Sequence, residues 1–142
     1  MKGENFMLKE VLEKGFGKDL DLNCAEKILY GANWAYDLKL SPETLKLAAG
    51  FGGGFGIEAM CGTISGAVMV LSHLYVKQRS HESKRIKELE TEFIDKFTKA
   101  LGACDCKTLK AKYRTAEKGC DDIIFKAGEI LDEIVAREGL NK

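Results

Sequence analysis

Apolar residues recur at steps of three and four positions along most of the chain. The clearest run, between residues 84 and 101, consists of Ile86, Leu89, Phe93, Phe97 and Leu101. Shorter runs within residues 25–32 and 123–135 repeat this spacing. Such spacing is typical of helices with one buried face, and no stretch alternates apolar and polar residues as a strand does. The pattern predicts an all-α fold, a bundle of about five helices.

Capping residues indicate where several of these helices begin. Such signals stand at Asp21 or Asn23, at Ser41 followed by Pro42, and at Ser83. Each of these residue types satisfies backbone groups that a helix start leaves free, or fits the first helical position. Gly102 is expected to end the helix that Ser83 begins, because glycine favours helix ends. Residues 106–112 are expected to form a short connection to the last helix.

The longest apolar stretch begins at Ile57, after a glycine-rich run over residues 50–56, and predicts a helix that ends at about Lys77. Its length would permit a membrane span, but polar residues interrupt it, so a helix buried in the bundle is expected. Gly62 and Gly66 lie four residues apart within it. Because glycine weakens a helix by about 1 kcal/mol relative to alanine, this pair predicts close approach of another helix or of a cofactor.

Length and charge narrow the class of protein. The 142 residues correspond to a single helical domain, residues 1–142, with no formal net charge. This balance argues against a basic nucleic-acid surface, so no nucleic acid is expected as a partner. Residues 1–17 lack the apolar core of a secretion signal, which predicts a cytoplasmic protein.

Five cysteines without a secretion signal indicate redox or metal chemistry. Disulfides are rare in a reducing compartment, where clustered cysteines more often bind metal, hold an iron–sulfur cluster or react. A free cysteine can also be a small buried apolar residue, and that alternative stands for each one taken alone. The spacing matches no zinc, haem or ferredoxin signature. If the cysteines act together, the fold must bring them together.

The predicted helices place the cysteines in different environments. Cys24 and Cys120 each open a helix, where free backbone N–H groups favour a thiolate. Lys27, one turn after Cys24, acts in the same direction. Cys61 is expected inside the apolar helix, where burial would raise the pKa of its thiol and Glu58 would oppose ionisation.

Cys104 and Cys106 form a C-x-C pair. Residues two apart on a helix point in different directions, so both could serve one site only in a loop. One of the two is therefore expected to be spare. The histidines, His73 and His81, are not expected to share a metal site with a cysteine.

Three stretches together resemble a known protein family. They are Asn23-Cys24-Ala25-Glu26, the glycine run over residues 50–56, and Cys61-Gly62-Thr63-Ile64-Ser65-Gly66. With Cys106 and Cys120 following, their order resembles the C_GCAxxG_C_C family of redox-active proteins, whose name describes a cysteine, a CGAxxG motif and two further cysteines. Thr63 departs from the family's usual alanine.

The resemblance implies a site formed by four cysteines, namely Cys24, Cys61, Cys106 and Cys120. It selects Cys106 over Cys104 because Leu109 follows Cys106 at the third position, as in the family. A similar domain in split-Soret cytochromes is associated with an iron–sulfur centre. The resemblance thus implies an iron–sulfur cluster, of the [2Fe-2S] type, bound by these four cysteines. No haem-attachment motif is present, so the haem of those cytochromes does not carry over.

Two alternatives to a cluster stay open at this level. One is metal-free thiol–disulfide chemistry, which would pair Cys24 with Cys61 or Cys106 with Cys120. The other is a zinc-bound or metal-free interaction domain without redox turnover. As partners, the sequence is compatible with an unidentified redox protein and with a second copy of the chain in a homodimer. Whether the protein is an enzyme stays open.

Overall fold

The computed structural model describes residues 7–140, and within that part the chain folds into seven α-helices. They are α1 (Leu8–Glu13), α2 (Cys24–Ala35), α3 (Pro42–Leu45), α4 (Gly62–Tyr75), α5 (Lys84–Leu101), α6 (Cys106–Tyr113) and α7 (Asp121–Glu138). The described residues include no strand, only two isolated bridges. The all-α class is confirmed, and the predicted number of about five helices is too low. Residues 1–6, part of the stretch that lacks a secretion signal, lie outside the described residues.

Three helix starts follow the capping signals in the sequence. The Asn23 side chain accepts a hydrogen bond from the backbone N–H of Glu26 at 2.8 Å, and the Glu26 carboxylate accepts one from the Asn23 N–H at 2.9 Å. Ser41 and Ser83 accept in the same way at the starts of α3 and α5. These predicted starts are confirmed, and Asn23 rather than Asp21 is the cap of α2.

The apolar helix begins at Gly62, not at Ile57 as its hydrophobicity predicts. The preceding residues 53–58 form a tight turn. Positive φ angles occur in it at Gly53, Gly54, Phe55, Gly56 and Glu58. Left-handed backbone does not continue into a right-handed helix. The turn therefore places Cys61 at the N-cap of α4, ahead of the helix and not inside it.

The segment after Cys106 is a helix, α6, and not the short connection that the sequence predicts. The Asp105 carboxylate caps it by accepting from the backbone N–H of Thr108 at 2.8 Å. Apart from Cys106, Leu109 is its only buried residue. The apolar face of α6 is therefore too narrow to produce a clear helical period in the sequence.

The helices pack around a core to which most of them contribute. α2 lies along α4, while α7 packs against α1 and α5. Phe93 and Phe97, from the clearest periodic run, are fully buried. Within residues 7–140, no helix has both the length and the apolarity needed to cross a bilayer.

A buried carboxylate connects α1, α2 and α7. Asp132 on α7 accepts hydrogen bonds from the backbone N–H groups of Leu8 at 2.7 Å and Lys9 at 2.9 Å. It also accepts one from the Tyr36 hydroxyl at 2.5 Å. Burial raises the pKa of Asp132, and burial likewise raises that of Tyr36. Asp132 thus caps the start of α1 from the far end of the chain.

Ion pairs join α5 to the carboxyl-terminal end of α7. Arg137 donates two hydrogen bonds to Glu92, of 2.7 and 2.8 Å, and Arg85 pairs with Glu138 at 2.5 Å. These contacts lower the pKa values of Glu92 and Glu138 to about 2. A carboxyl whose pKa is lowered on folding stabilises the protein above its ordinary pKa, and that contribution is lost as the pH falls.

We expect Glu92→Gln to reduce the loss of stability on acidification from about pH 5 to about pH 2, the window between the ordinary and lowered pKa values. The free energy of unfolding, measured by urea titration across this range, should fall less steeply than in the unmodified protein. Glu133→Gln is the matched control, because Glu133 is an exposed carboxylate 3.9 Å from Lys96. Equal slopes for Glu92→Gln and the unmodified chain would contradict the assignment.

Candidate functional site

Four of the five cysteines line one cavity of about 260 Å³. They are Cys24, Cys61, Cys106 and Cys120. Leu109, Ile123 and Ile124 contribute apolar wall. Cys104 does not line the cavity, and all five cysteines are free thiols. The fold thus brings together the four cysteines named by the family resemblance and leaves out the fifth.

Each of the four cysteines lies at the start of a different helix. Cys24 and Cys106 are the first residues of α2 and α6, whereas Cys61 and Cys120 are the N-caps of α4 and α7. Helix starts carry unpaired backbone N–H groups and the positive end of the helix dipole. The cavity therefore collects four thiols at helix starts, where the helix dipole favours negative charge on sulfur and burial, at Cys61 and Cys106, opposes it.

Backbone hydrogen bonds hold Cys61 beside Cys106. The Cys61 N–H donates to the carbonyl oxygen of Cys104 at 2.9 Å, and the Cys106 N–H donates to that of Ala59 at 2.6 Å. The two segments pair through an antiparallel bridge between Met60 and Asp105. Of the C-x-C pair, Cys106 thus places its thiol in the cavity. Cys104 instead accepts a backbone hydrogen bond that holds Cys61 in position.

The glycine pair on α4 explains how α2 approaches so closely. A Cβ atom added at Gly62 would lie 2.4 Å from the Cys24 sulfur and 3.0 Å from the carbonyl oxygen of Phe51. One turn later, a Cβ at Gly66 would lie 2.7 Å from the carbonyl oxygen of Ala25. The close approach that the glycine pair predicts is therefore that of a helix. At Gly62, the missing side chain leaves room for the sulfur of Cys24, one of the cavity thiols.

Four cationic side chains also line the cavity: Lys27, Lys110, Arg114 and Lys118. Among the described residues that line it there is no aspartate or glutamate. The three lysines each have a carboxylate within 4 Å outside the lining, with Lys110 closest, 2.9 Å from Glu58. Arg114 donates from Nη1 to the Cys120 sulfur at 3.5 Å. Three of the four cations that line the cavity are thus paired with carboxylates, and Arg114 is the one that contacts a cavity thiol.

Cys61 and Cys106 are the inner thiols, with residue exposures of 5% and 7%. Burial raises the pKa of Cys61 to about 11, although the Thr63 hydroxyl, 3.1 Å from the sulfur, acts in the opposite direction. Burial also raises the pKa of Cys106, and Lys110 opposes that rise. Both inner thiols are therefore protonated at neutral pH unless a metal replaces the proton.

Glu58 acts on a different cysteine from the one that the sequence indicates. Its carboxylate pairs with Lys110 and contributes to the raised pKa of Cys106. The tight turn that delays α4 separates Glu58 from the helix that begins after Cys61, so the two do not share a helical face.

The donor set suits an iron–sulfur cluster, because soft thiolates are the usual ligands of such clusters. Within residues 7–140, however, no three side chains of His, Cys, Asp or Glu are grouped so that they could hold one metal ion. Four thiolates are a donor set found both in iron–sulfur clusters and in zinc sites, so the residue types present are compatible with either.

Lys110, Arg114 and Lys118 are site residues that the sequence reasoning did not identify. A signal was available, because these cations lie between Cys106 and Cys120 in the sequence. Lys110 lies on α6, Arg114 directly follows that helix, and Lys118 lies in the connection to α7. The sequence pattern did not predict α6, so it could not place these cations beside the cysteines.

A helical fold with four thiols on helix starts around one cation-lined cavity defines a class of small protein built around cysteine chemistry. Residues 22–134 match the model of the family described as "Putative redox-active protein (C_GCAxxG_C_C)". The chain belongs to this redox-active family, which confirms the resemblance seen in the sequence. Neither the comparison with curated proteins nor that with solved structures gave a match.

Proposed function

We propose that this protein binds an iron–sulfur cluster through its four cavity cysteines and serves in electron transfer or redox sensing. The ligands would be Cys24, Cys61, Cys106 and Cys120. The observation that carries the proposal is that these thiols, spread over most of the chain, line one cavity from four helix starts. When bound, the cluster supplies a centre that accepts and releases single electrons.

Charge complementarity supports an anionic group in the cavity. Thiolate ligands bring negative charge, and the helix starts together with the four cations that line the cavity offset it. Arg114 would donate a hydrogen bond to a ligand sulfur, and such bonds are among the factors that set a cluster's potential. The buried positions of Cys61 and Cys106 would keep water from the inner side of the site.

The raised pKa values of the inner thiols couple metal binding to proton release. Cys61, with a pKa of about 11, must lose its proton before its sulfur can ligate. Cluster assembly is therefore expected to become more favourable as the pH rises through the neutral range. The residues of this chain hold the ligand set in place and exclude water, and the electron chemistry belongs to the cluster.

Anaerobic purification is expected to yield coloured protein that contains iron and acid-labile sulfide. Replacing any one of the four cavity cysteines with serine should lower the iron content several-fold, because each removes a thiolate ligand. The matched control is Cys104→Ser, at a half-buried cysteine that does not line the cavity. Metal analysis and absorption spectra of the variants measure the effect. Colourless, iron-free protein, or an equal loss in Cys104→Ser, would contradict the proposal.

A second candidate is thiol–disulfide chemistry without metal. The observation that favours it is the set of free thiols around one cavity. It requires that mild oxidation reversibly lower the number of free thiols by two, with no iron present. A constant thiol count would exclude it, and stoichiometric zinc in the purified protein would favour an interaction domain instead.

A further inference from the structure

The three half-buried cysteines of this protein differ in what surrounds their sulfur atoms. They are Cys24, Cys104 and Cys120. The Cys24 sulfur sits against α4, only 2.4 Å from where a Cβ at Gly62 would lie, so little space remains on that side. Cys104 lies outside the cavity. Cys120 lines the cavity and receives the Arg114 hydrogen bond.

The inner thiols are poor candidates for direct reaction with a reagent from solution. Cys61 and Cys106 are buried, and an attacking group must reach them through the cavity. Thiol–disulfide exchange requires an accessible sulfur that carries negative charge. Burial therefore separates Cys120 from Cys61 and Cys106, and the contact with Arg114 separates it from the other half-buried cysteines.

The surroundings of Cys120 also select the charge of the reagent. Arg114 contacts the sulfur directly, and Lys118 lines the same cavity two residues before it. Lys27 and Lys118 pair with Asp121 and Asp122, which directly follow Cys120, and Lys110 pairs with Glu58. Arg114 is therefore the cation that acts directly on this sulfur. A negatively charged reagent is attracted to this arginine, whereas a cationic one is repelled.

We propose that, in the metal-free chain, Cys120 is a modification site for small anionic disulfides and that Arg114 confers this charge selectivity. The Cys120 thiolate attacks one sulfur of the reagent, a bond forms between the two sulfurs, and the disulfide bond of the reagent breaks. One half of the reagent leaves as a thiolate, and the other half stays on Cys120 as a mixed disulfide. The reaction needs no bound cluster, so its outcome is independent of the proposed function.

The test uses the full-length, reduced chain freed of metal by a chelator, with retained helicity checked by circular dichroism. The anionic probe is 5,5′-dithiobis(2-nitrobenzoate), and the neutral probe is 2,2′-dithiodipyridine. With less than one equivalent of the anionic probe, peptide mapping is expected to find the mixed disulfide mainly on Cys120. First modification of Cys24 or Cys104 would overturn the assignment.

Arg114→Gln is expected to slow the reaction with the anionic probe by about tenfold, a typical size for electrostatic attraction, with a much smaller change for the neutral probe. Arg114→Lys should restore most of the anionic rate. Lys107→Gln is the control, because it removes a cation from α6 that does not line the cavity. Equal slowing of both probes in Arg114→Gln would mean that Arg114 only supports the local structure, and the selectivity would be refuted.

Discussion

Replacing Gly62 with alanine is expected to displace the Cys24 sulfur from the cavity and to lower iron loading several-fold. The new methyl group would lie 2.4 Å from that sulfur and 3.0 Å from the Phe51 carbonyl oxygen, well inside normal contact distances. Overpacking of this kind costs about 1 to 3 kcal/mol of stability. The larger consequence falls on the site, because the atom that must move is a proposed ligand.

Gly66→Ala separates this effect from general destabilisation. Its methyl group would lie 2.7 Å from the Ala25 carbonyl oxygen, so it crowds the same pair of helices without touching a cavity sulfur. Both variants should show a reduced free energy of unfolding by urea titration. Only Gly62→Ala should lose iron and, in the metal-free chain, change the alkylation rate of Cys24. Equal iron losses in both variants would contradict this prediction. They would show that iron content depends on the packing of α2 against α4 in general and not on the position of the Cys24 sulfur.

Asp132→Ala is expected to destabilise the fold by about 3 to 5 kcal/mol, the largest effect on stability among the substitutions considered. The change leaves the backbone N–H groups of Leu8 and Lys9 and the Tyr36 hydroxyl without their acceptor. Each buried donor that loses its partner costs about 1 to 3 kcal/mol. Asp132 lies on α7, caps α1 and contacts Tyr36 at the end of α2. Its removal therefore weakens the contacts among three helices.

Two further variants resolve this network. Tyr36→Phe removes one donor and leaves the carboxylate with its backbone partners, so a cost of about 1 kcal/mol is expected. Asp132→Asn keeps one carbonyl oxygen and should fall between Tyr36→Phe and Asp132→Ala. Urea titration of all three gives the ranking. A loss below 1 kcal/mol in Asp132→Ala would show that water replaces the carboxylate without difficulty.

The raised pKa of Asp132 also sets the direction of its pH dependence. Because burial raises that pKa above the ordinary value of 3.8, the folded state binds more protons than the unfolded state in the interval above 3.8. This group therefore stabilises the fold most at low pH, and its contribution falls as the pH rises through the raised pKa. Glu92 and Glu138 act in the opposite direction, since their pKa values are lowered.

Much of the helical framework could be predicted from local chemistry. The spacing of apolar residues defined α5, and the caps at Asn23, Ser41 and Ser83 located three helix starts, because capping and periodicity act over a few residues. Asp132 left a signal too, since it lies four residues after Gly128 and three before Val135 on the buried face of α7. A charged residue on such a face indicates a buried partner, but not which one.

The sequence by itself determined the all-α class, the capped starts of α2, α3 and α5 and, through family motifs, the four cysteines of interest. The tertiary structure decided that these four share one cavity, that Cys104 stays outside, and that Arg114 contacts Cys120. The left-handed turn over residues 53–58 likewise moved Cys61 from the interior of a helix to its cap. The physical reason is range: caps and periodicity depend on near neighbours, whereas a site formed by four helix starts depends on how distant helices pack.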